Sequence, residues 1–163
     1  MHKHDLALRI RFRAGRENLT RVRSLVETLL GGAPGGTFHT EDIDEIVLGL
    51  QECLANVARH ACPGDREPMV HLSVGVSDGC FRARVTDRGR EFDPEAVPPP
   101  DLANPRDNGY GLFLLRSTMD RVRFTRRGRV NRVEFERRGR ATPPDADAVP
   151  GESSVKSSAH QGR

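Results

Sequence analysis

Between Ile43 and Ala61 an apolar residue returns every three or four positions, at Ile43, Ile46, Val47, Leu50, Leu54, Val57 and Ala61. That spacing is one face of a long α-helix. On both sides of it the period changes to two. Upstream, Leu6, Leu8, Ile10 and Phe12 alternate with Ala7, Arg9 and Arg11; downstream, Val70–Val76 and Phe81–Thr86 alternate in the same way about Ser77-Asp78-Gly79, a hairpin signal. A chain that switches period like this buries its apolar stripes by laying helices on one face of a sheet, so the expected class is α+β.

The remaining elements follow from local chemistry. Asn18 is the expected cap of a first helix carrying Leu19, Val22, Val26, Leu29 and Leu30, which Gly31-Gly32 stops. Thr40, followed by Glu41 and Asp42, reads as the start of the second helix, with both acids at the positive end of its dipole. From Leu112 a third helix places Leu112, Leu115, Met119 and Val122 on one face, and a last hairpin uses strands near 121–125 and 130–136 turned at Arg127-Gly128-Arg129. Residues 94–107 hold Pro94, Pro98, Pro99, Pro100 and Pro105 and read as a loop. The predicted order is β-α-α-β-β-loop-α-β-β, with helices on one face of a mostly antiparallel sheet. A length of 163 residues suits one domain. Residues 1–140 form that domain, and 141–163, rich in Pro, Ser, Gly, Ala and Asp with little to bury, are expected to be a disordered tail.

Composition excludes several chemistries. Of 26 basic residues only Lys3 and Lys156 are lysines, both outside the expected folded body. A P-loop, a common protein-kinase fold and Schiff-base catalysis each need a lysine that this body lacks. Cys53, Cys62 and Cys80 lack metal-pair spacing, and their odd number argues against a disulfide framework. No apolar run approaches the ~18 residues of a membrane span, and the first residues lack the apolar core of a signal peptide, so a cytoplasmic protein is expected.

Three segments stand out as chemistry. On the second helix Glu52, Asn56 and Arg59 fall within about 60° of one another, opposite the core stripe, with His60 at the edge. Such a trio is often a solvated helix face, yet Asn56 is a poor mid-helix residue unless its amide oxygen has a task, such as binding a hard cation. Asp87 ends a strand and Gly89 follows two residues later, which makes either an Asx turn or a carboxylate placed to accept from an exocyclic amine. Gly109 and Gly111 precede the third helix, where they make either a turn or an anion site at a helix N-terminus.

Taken in order, Leu50-Gln51-Glu52-Cys53-Leu54-Ala55-Asn56-Val57-Ala58-Arg59-His60-Ala61, Thr86 to Pro94 and Gly109 to Val122 form the three-box pattern of the GHKL ATPases. Across about residues 6–137 the chain resembles the bacterial anti-sigma factor serine/threonine kinases of that histidine-kinase-like superfamily. The resemblance implies a two-layer Bergerat sandwich and the cofactors ATP and Mg²⁺. In it Asn56 ligates Mg²⁺, Glu52 is the general base toward a serine hydroxyl or a water, and Asp87 reads the adenine amino group with Gly89 beneath the ring. Gly109, Tyr110, Gly111 and Leu112 supply backbone donors to the phosphates, Arg59 or His60 adds positive charge, and Phe92 and Asn108 complete the nucleotide site. It further implies control of transcription in a stress response, as a homodimer with two partners: a sigma factor held inactive and an anti-anti-sigma (STAS-type) antagonist that is phosphorylated.

Two positions depart from the family pattern. Glu91 stands where many relatives have a second glycine, and Asn131 where relatives often have a threonine near the adenine. A nucleotide-gated binding module without kinase activity is the alternative reading, and Glu52 favours the kinase. The Arg-rich end, Arg121 to Arg140, suits either an acidic protein surface or solvent. Neither a membrane nor direct nucleic-acid contact is expected, since Phe124 and Phe135 are at core-facing spacing and leave no stacking platform.

Overall fold

In the computed structural model, which describes residues 6–33, 36–61, 67–98, 100 and 109–140, the alternating segments form strands β1 (Leu6–Arg13), β2 (Met69–Ser77), β3 (Cys80–Asp87), β4 (Arg121–Arg127) and β5 (Val130–Arg138). Three helices are interleaved with them: α1 (Arg16–Gly31), α2 (Thr40–His60) and α3 (Tyr110–Thr118). The order is the predicted one. The strands make one sheet, β1-β2-β3-β5-β4, with every pair antiparallel. Cys62, Asn108, most of the proline-rich loop and the tail 141–163 lie outside the described residues.

The core lies between sheet and helices. Period-two alternation sends Val70, Leu72, Val74 and Val76 of β2, Phe81, Ala83 and Val85 of β3, and Val133 and Phe135 of β5 inward. They pack against Val22, Val26 and Leu30 of α1 and Ile46, Leu50, Leu54 and Val57 of α2. Full burial of one such side chain stabilises by about 1.5–3 kcal/mol. Cys53 is a buried free thiol within this packing, and Cys80 is a second buried free thiol at the start of β3.

The same alternation places a polar residue at each end of the inward run of β5, which reads Asn131, Val133, Phe135, Arg137. Arg137 reaches α2, where Asp42 is fully buried. Arg137 Nη2 lies 3.4 Å from Asp42 Oδ1 and also pairs with Glu45. Asp42 Oδ2 accepts from the backbone N–H groups of His39 at 3.3 Å and Arg140 at 3.1 Å. Burial alone would push this carboxyl up, but the two N–H donors and the Arg137 guanidinium offset it and hold Asp42 below the ordinary carboxylate value.

Several boundaries differ from expectation. Asn18 is not the cap of α1; Gly15 is, and Asn18 sits in the first turn with its Nδ2 donating to Arg13 O at 3.0 Å. Helix α2 starts at Thr40 as expected, and its cap is His39, whose N–H donates to Asp42 Oδ2 three positions on. Helix α3 ends at Thr118, so Val122 belongs to β4, and the last hairpin runs longer than predicted. The arginines of that end are not uniformly free. Arg137 and Arg140 pair with Glu41, Asp42 and Glu45, and Arg121 with Glu136.

Candidate functional site

Helix α2 turns the Glu52 and Asn56 part of its polar face toward the start of α3, while Arg59 stays exposed. A Cβ added to Gly111 would stand 2.6 Å from Glu52 Oε2 and 3.3 Å from both Asn56 Oδ1 and Asn56 Nδ2. Only a residue without a side chain lets the two helices meet so that a carboxylate and an amide converge on one peptide segment. Glu52 is largely covered, with its side chain 25% exposed, and its Oε2 lies 3.7 Å from Arg59 Nη2. His60 is exposed at the end of the helix.

Helix α3 opens with Gly109 as N-cap at φ 93°, a left-handed conformation natural to glycine. A Cβ there would stand 2.8 Å from Pro98 O, so the end of the described loop lies directly over the cap. The first backbone bond of α3 runs from Phe113 N–H to Gly109 O at 3.1 Å. The N–H groups of Tyr110, Gly111 and Leu112 therefore have no acceptor within the helix and mark its positive end. Tyr110 meets Phe113 edge-on at 6.4 Å, and Leu112 is buried.

Asp87 is the last inward residue of β3 and is only 5% exposed. Its Oδ1 accepts from Gly89 N at 2.7 Å, the Asx turn expected there, and from Asn131 Nδ2 at 2.9 Å. Gly89 is required by its close approach to helix α2, since a side chain there would run into Ala61 at the end of that helix. Arg90 N–H donates to Ala61 O at 2.9 Å and pins this loop to the helix.

A cleft of about 500 Å³ opens between α2, α3 and the β3–β5–β4 end of the sheet. Asn56, His60, Asp87 and Phe92 line it, and Phe92 stacks at a tilt on Phe124, ring centroids 5.8 Å apart, as an apolar wall. Glu52, Arg59, Gly89 and residues 109–112 are not in the lining. Glu52 and Gly111 join it through Asn56, which touches both regions. Asn108 falls outside the described residues. Cys53 also borders the cleft, but burial pushes its thiol up to about 12, which rules it out as a nucleophile.

Among the described residues no cluster of three His, Cys, Asp or Glu could cage a metal. Asn56 Oδ1, with the Glu52 carboxylate beside it, is a sparse set of hard oxygen donors. That fits Mg²⁺, which keeps waters and takes most of its ligands from substrate phosphates.

Sequence reasoning missed Arg126 and Phe124 as cleft residues. The signal is the alternation along β4, which puts Val122, Phe124 and Arg126 on the inward face and sets Arg126 apart from the neighbouring arginines.

The sequence matches the family model described as the histidine kinase-like ATPase domain over residues 12–137. Curated relatives include the serine-protein kinase RsbW of Oceanobacillus iheyensis, 27% identical over 104 residues that cover 59% of this chain and 66% of that protein. RsbW of Staphylococcus epidermidis is 28% identical over 124 residues, covering 71% of this chain and 76% of that one. Among solved structures, that of the RsbU and RsbW domains of a Mycobacterium tuberculosis protein shares the fold, with a TM-score of 0.56 at 19% identity over 85% of this chain and 35% of that one. The family match runs from the end of β1 into β5 and takes in all three motif segments, so the chain belongs to the histidine kinase-like ATPase domains of the GHKL superfamily.

Proposed function

We propose that this protein is an anti-sigma factor serine kinase: it binds ATP with Mg²⁺, holds a sigma factor inactive, and phosphorylates a serine or threonine of a STAS-type antagonist. The observation that carries the reading is the convergence of Glu52 and Asn56 on Gly111, at the positive end of α3 and beside the cleft that holds Asp87. The kinase names of the RsbW relatives support it as well.

Each residue then has a task. Asp87 accepts the exocyclic amine of adenine, and with Oδ1 already taking two donors, Oδ2 is the oxygen left for the base. Phe92 and Phe124 cover the base, and the N–H groups of Tyr110, Gly111 and Leu112 receive phosphate oxygens in place of a lysine. Asn56 holds Mg²⁺, which neutralises charge on the triphosphate when bound. Glu52 takes the proton of the serine hydroxyl as its oxygen bonds to the γ-phosphorus, while the bond from that phosphorus to the bridging oxygen breaks and ADP leaves. The Arg59–Glu52 pair supports the alternative of a nucleotide-gated module without transfer, since the carboxylate assigned as base already has a guanidinium 3.7 Å away.

Calorimetry of ATP binding with and without Mg²⁺, on the native chain and on Asn56→Ala, tests the reading. Mg²⁺ should tighten binding to the native chain and leave the variant unaffected. A native chain that binds no ATP, or a variant with the full Mg²⁺ response, overturns it.

A further inference from the structure

Glu91 and Asn131 are joined in the structure by a third residue, Arg126. Its Nε lies 3.8 Å from Glu91 Oε2, and its Nη1 donates to Asn131 Oδ1 at 2.5 Å and approaches Gly89 O at 3.4 Å. The other end of the Asn131 amide donates to Asp87 Oδ1 at 2.9 Å and to Arg90 O at 2.8 Å. Asp87, Asn131 and Arg126 occupy one rung of the sheet, paired Asp87↔Asn131 and Arg126↔Asn131 in register.

A guanidinium only donates, whereas a carboxylate and a backbone carbonyl only accept, so these partners allow the Asn131 amide one orientation. Its Nδ2 must face Asp87. Together with Gly89 N–H this gives Asp87 Oδ1 two donors, and Asp87 is nearly buried, so among the described residues Oδ2 is the oxygen open to a ligand. A carboxylate with both oxygens free can take the adjacent N–H donors of guanine side by side. One with a single open oxygen matches the one exocyclic amine of adenine.

On the ATP-binding reading above, we propose that Arg126 is a positioning residue that acts through Asn131 to lock Asp87 into this single-acceptor state. It thereby makes the pocket selective for 6-aminopurines. Glu91, whose side chain is 75% exposed, holds the guanidinium from the solvent side.

The test is a set of dissociation constants for ATP, purine riboside triphosphate (which lacks the 6-amino group) and GTP. They are measured on the native chain, Arg126→Met, Arg126→Lys, Asn131→Leu and Glu91→Gln. The native chain should prefer ATP over the des-amino analogue by about tenfold or more, the worth of one charge-assisted hydrogen bond. Arg126→Met and Asn131→Leu should cut that ratio to about threefold or less and raise GTP relative to ATP. Arg126→Lys, which still donates, should restore most of it, and Glu91→Gln, a surface change with little risk to folding, should lower it slightly. The double variant Arg126→Met/Asn131→Leu should lose no more than either single one. If the native chain discriminates and the variants weaken all three nucleotides equally, Arg126 supports the fold or meets phosphate, and the inference is overturned while ATP binding stands. A native chain that binds all three nucleotides equally overturns the inference and leaves ATP binding standing, whereas one that binds none of them overturns both.

Discussion

Asn131 donates its side-chain amide to Asp87 across one rung of the β3–β5 ladder, at 2.9 Å, and both residues face the helices. The polar end of the cleft is thus continuous with the apolar core, two residues along the same strands from Val85 and Val133. That continuity sets what substitutions here should do.

Asp87→Ala removes the oxygen assigned to the base and leaves Asn131 Nδ2 with one acceptor fewer. ATP affinity should fall by about 30-fold or more, from a lost charge-assisted bond of roughly 2–3 kcal/mol. Calorimetry reads this directly, and affinity within threefold of native would remove Asp87 from the base site.

Glu52→Ala should leave ATP affinity within about threefold and lower transfer to the antagonist serine by about 10²–10⁴, the usual worth of a general base. Radiolabel transfer from γ-phosphate measures it. Full transfer by the variant refutes the assignment and leaves the gated module as the better reading.

Gly111→Val places methyl groups where Glu52 Oε2 and Asn56 now stand. The α2–α3 contact must open, so nucleotide binding should drop by about tenfold or more and the thermal midpoint should fall, with Gly111→Ala intermediate. Unchanged binding in both variants would mean that the convergence of the two helices has no part in holding the nucleotide.

Asp42 links pH to stability far from the cleft. Its carboxyl ionises more readily folded than unfolded, so the stability it adds is complete above the unfolded carboxylate range near pH 4 and is lost as pH falls through the lower folded value. Asp42→Asn should destabilise by about 3 kcal/mol at neutral pH, leaving Arg137 without its buried partner, and should flatten the acid limb of the stability curve. Chemical denaturation at several pH values reads both effects. An acid limb as steep as in the native chain would exclude Asp42 as its source.

Phe81 is fully buried and packs on Phe135 at 6.4 Å between ring centroids. Phe81→Ala should cost about 3–5 kcal/mol. A loss below 1 kcal/mol in urea denaturation would show that this part of the core can collapse around the gap.

The element order was legible because it depends on local periodicity: two for the strands, three to four for the helices. Asp87 at a strand end and the glycines before α3 were legible for the same reason. What the sequence left open were choices made over distance. Whether Glu52 and Asn56 faced water or protein depended on where α3 packs, about a third of the chain away. Arg137 binds Asp42 across 95 positions, and Arg126 reaches Gly89 across 37. The α1 cap fell at Gly15 rather than Asn18, because the Asn18 amide is drawn to Arg13 O instead.

Strand β5 works as a ruler with a functional mark at either end. Asn131 and Arg137 lie an even number of residues apart, so one register fits both the Asp87 rung and the Asp42 anchor. Sliding the strand by a single residue would turn both outward together. A misaligned hairpin therefore has no half-functional form: it forfeits the base-reading end and the helix tether in the same event, and what remains is a substrate for proteolysis rather than a weakened enzyme.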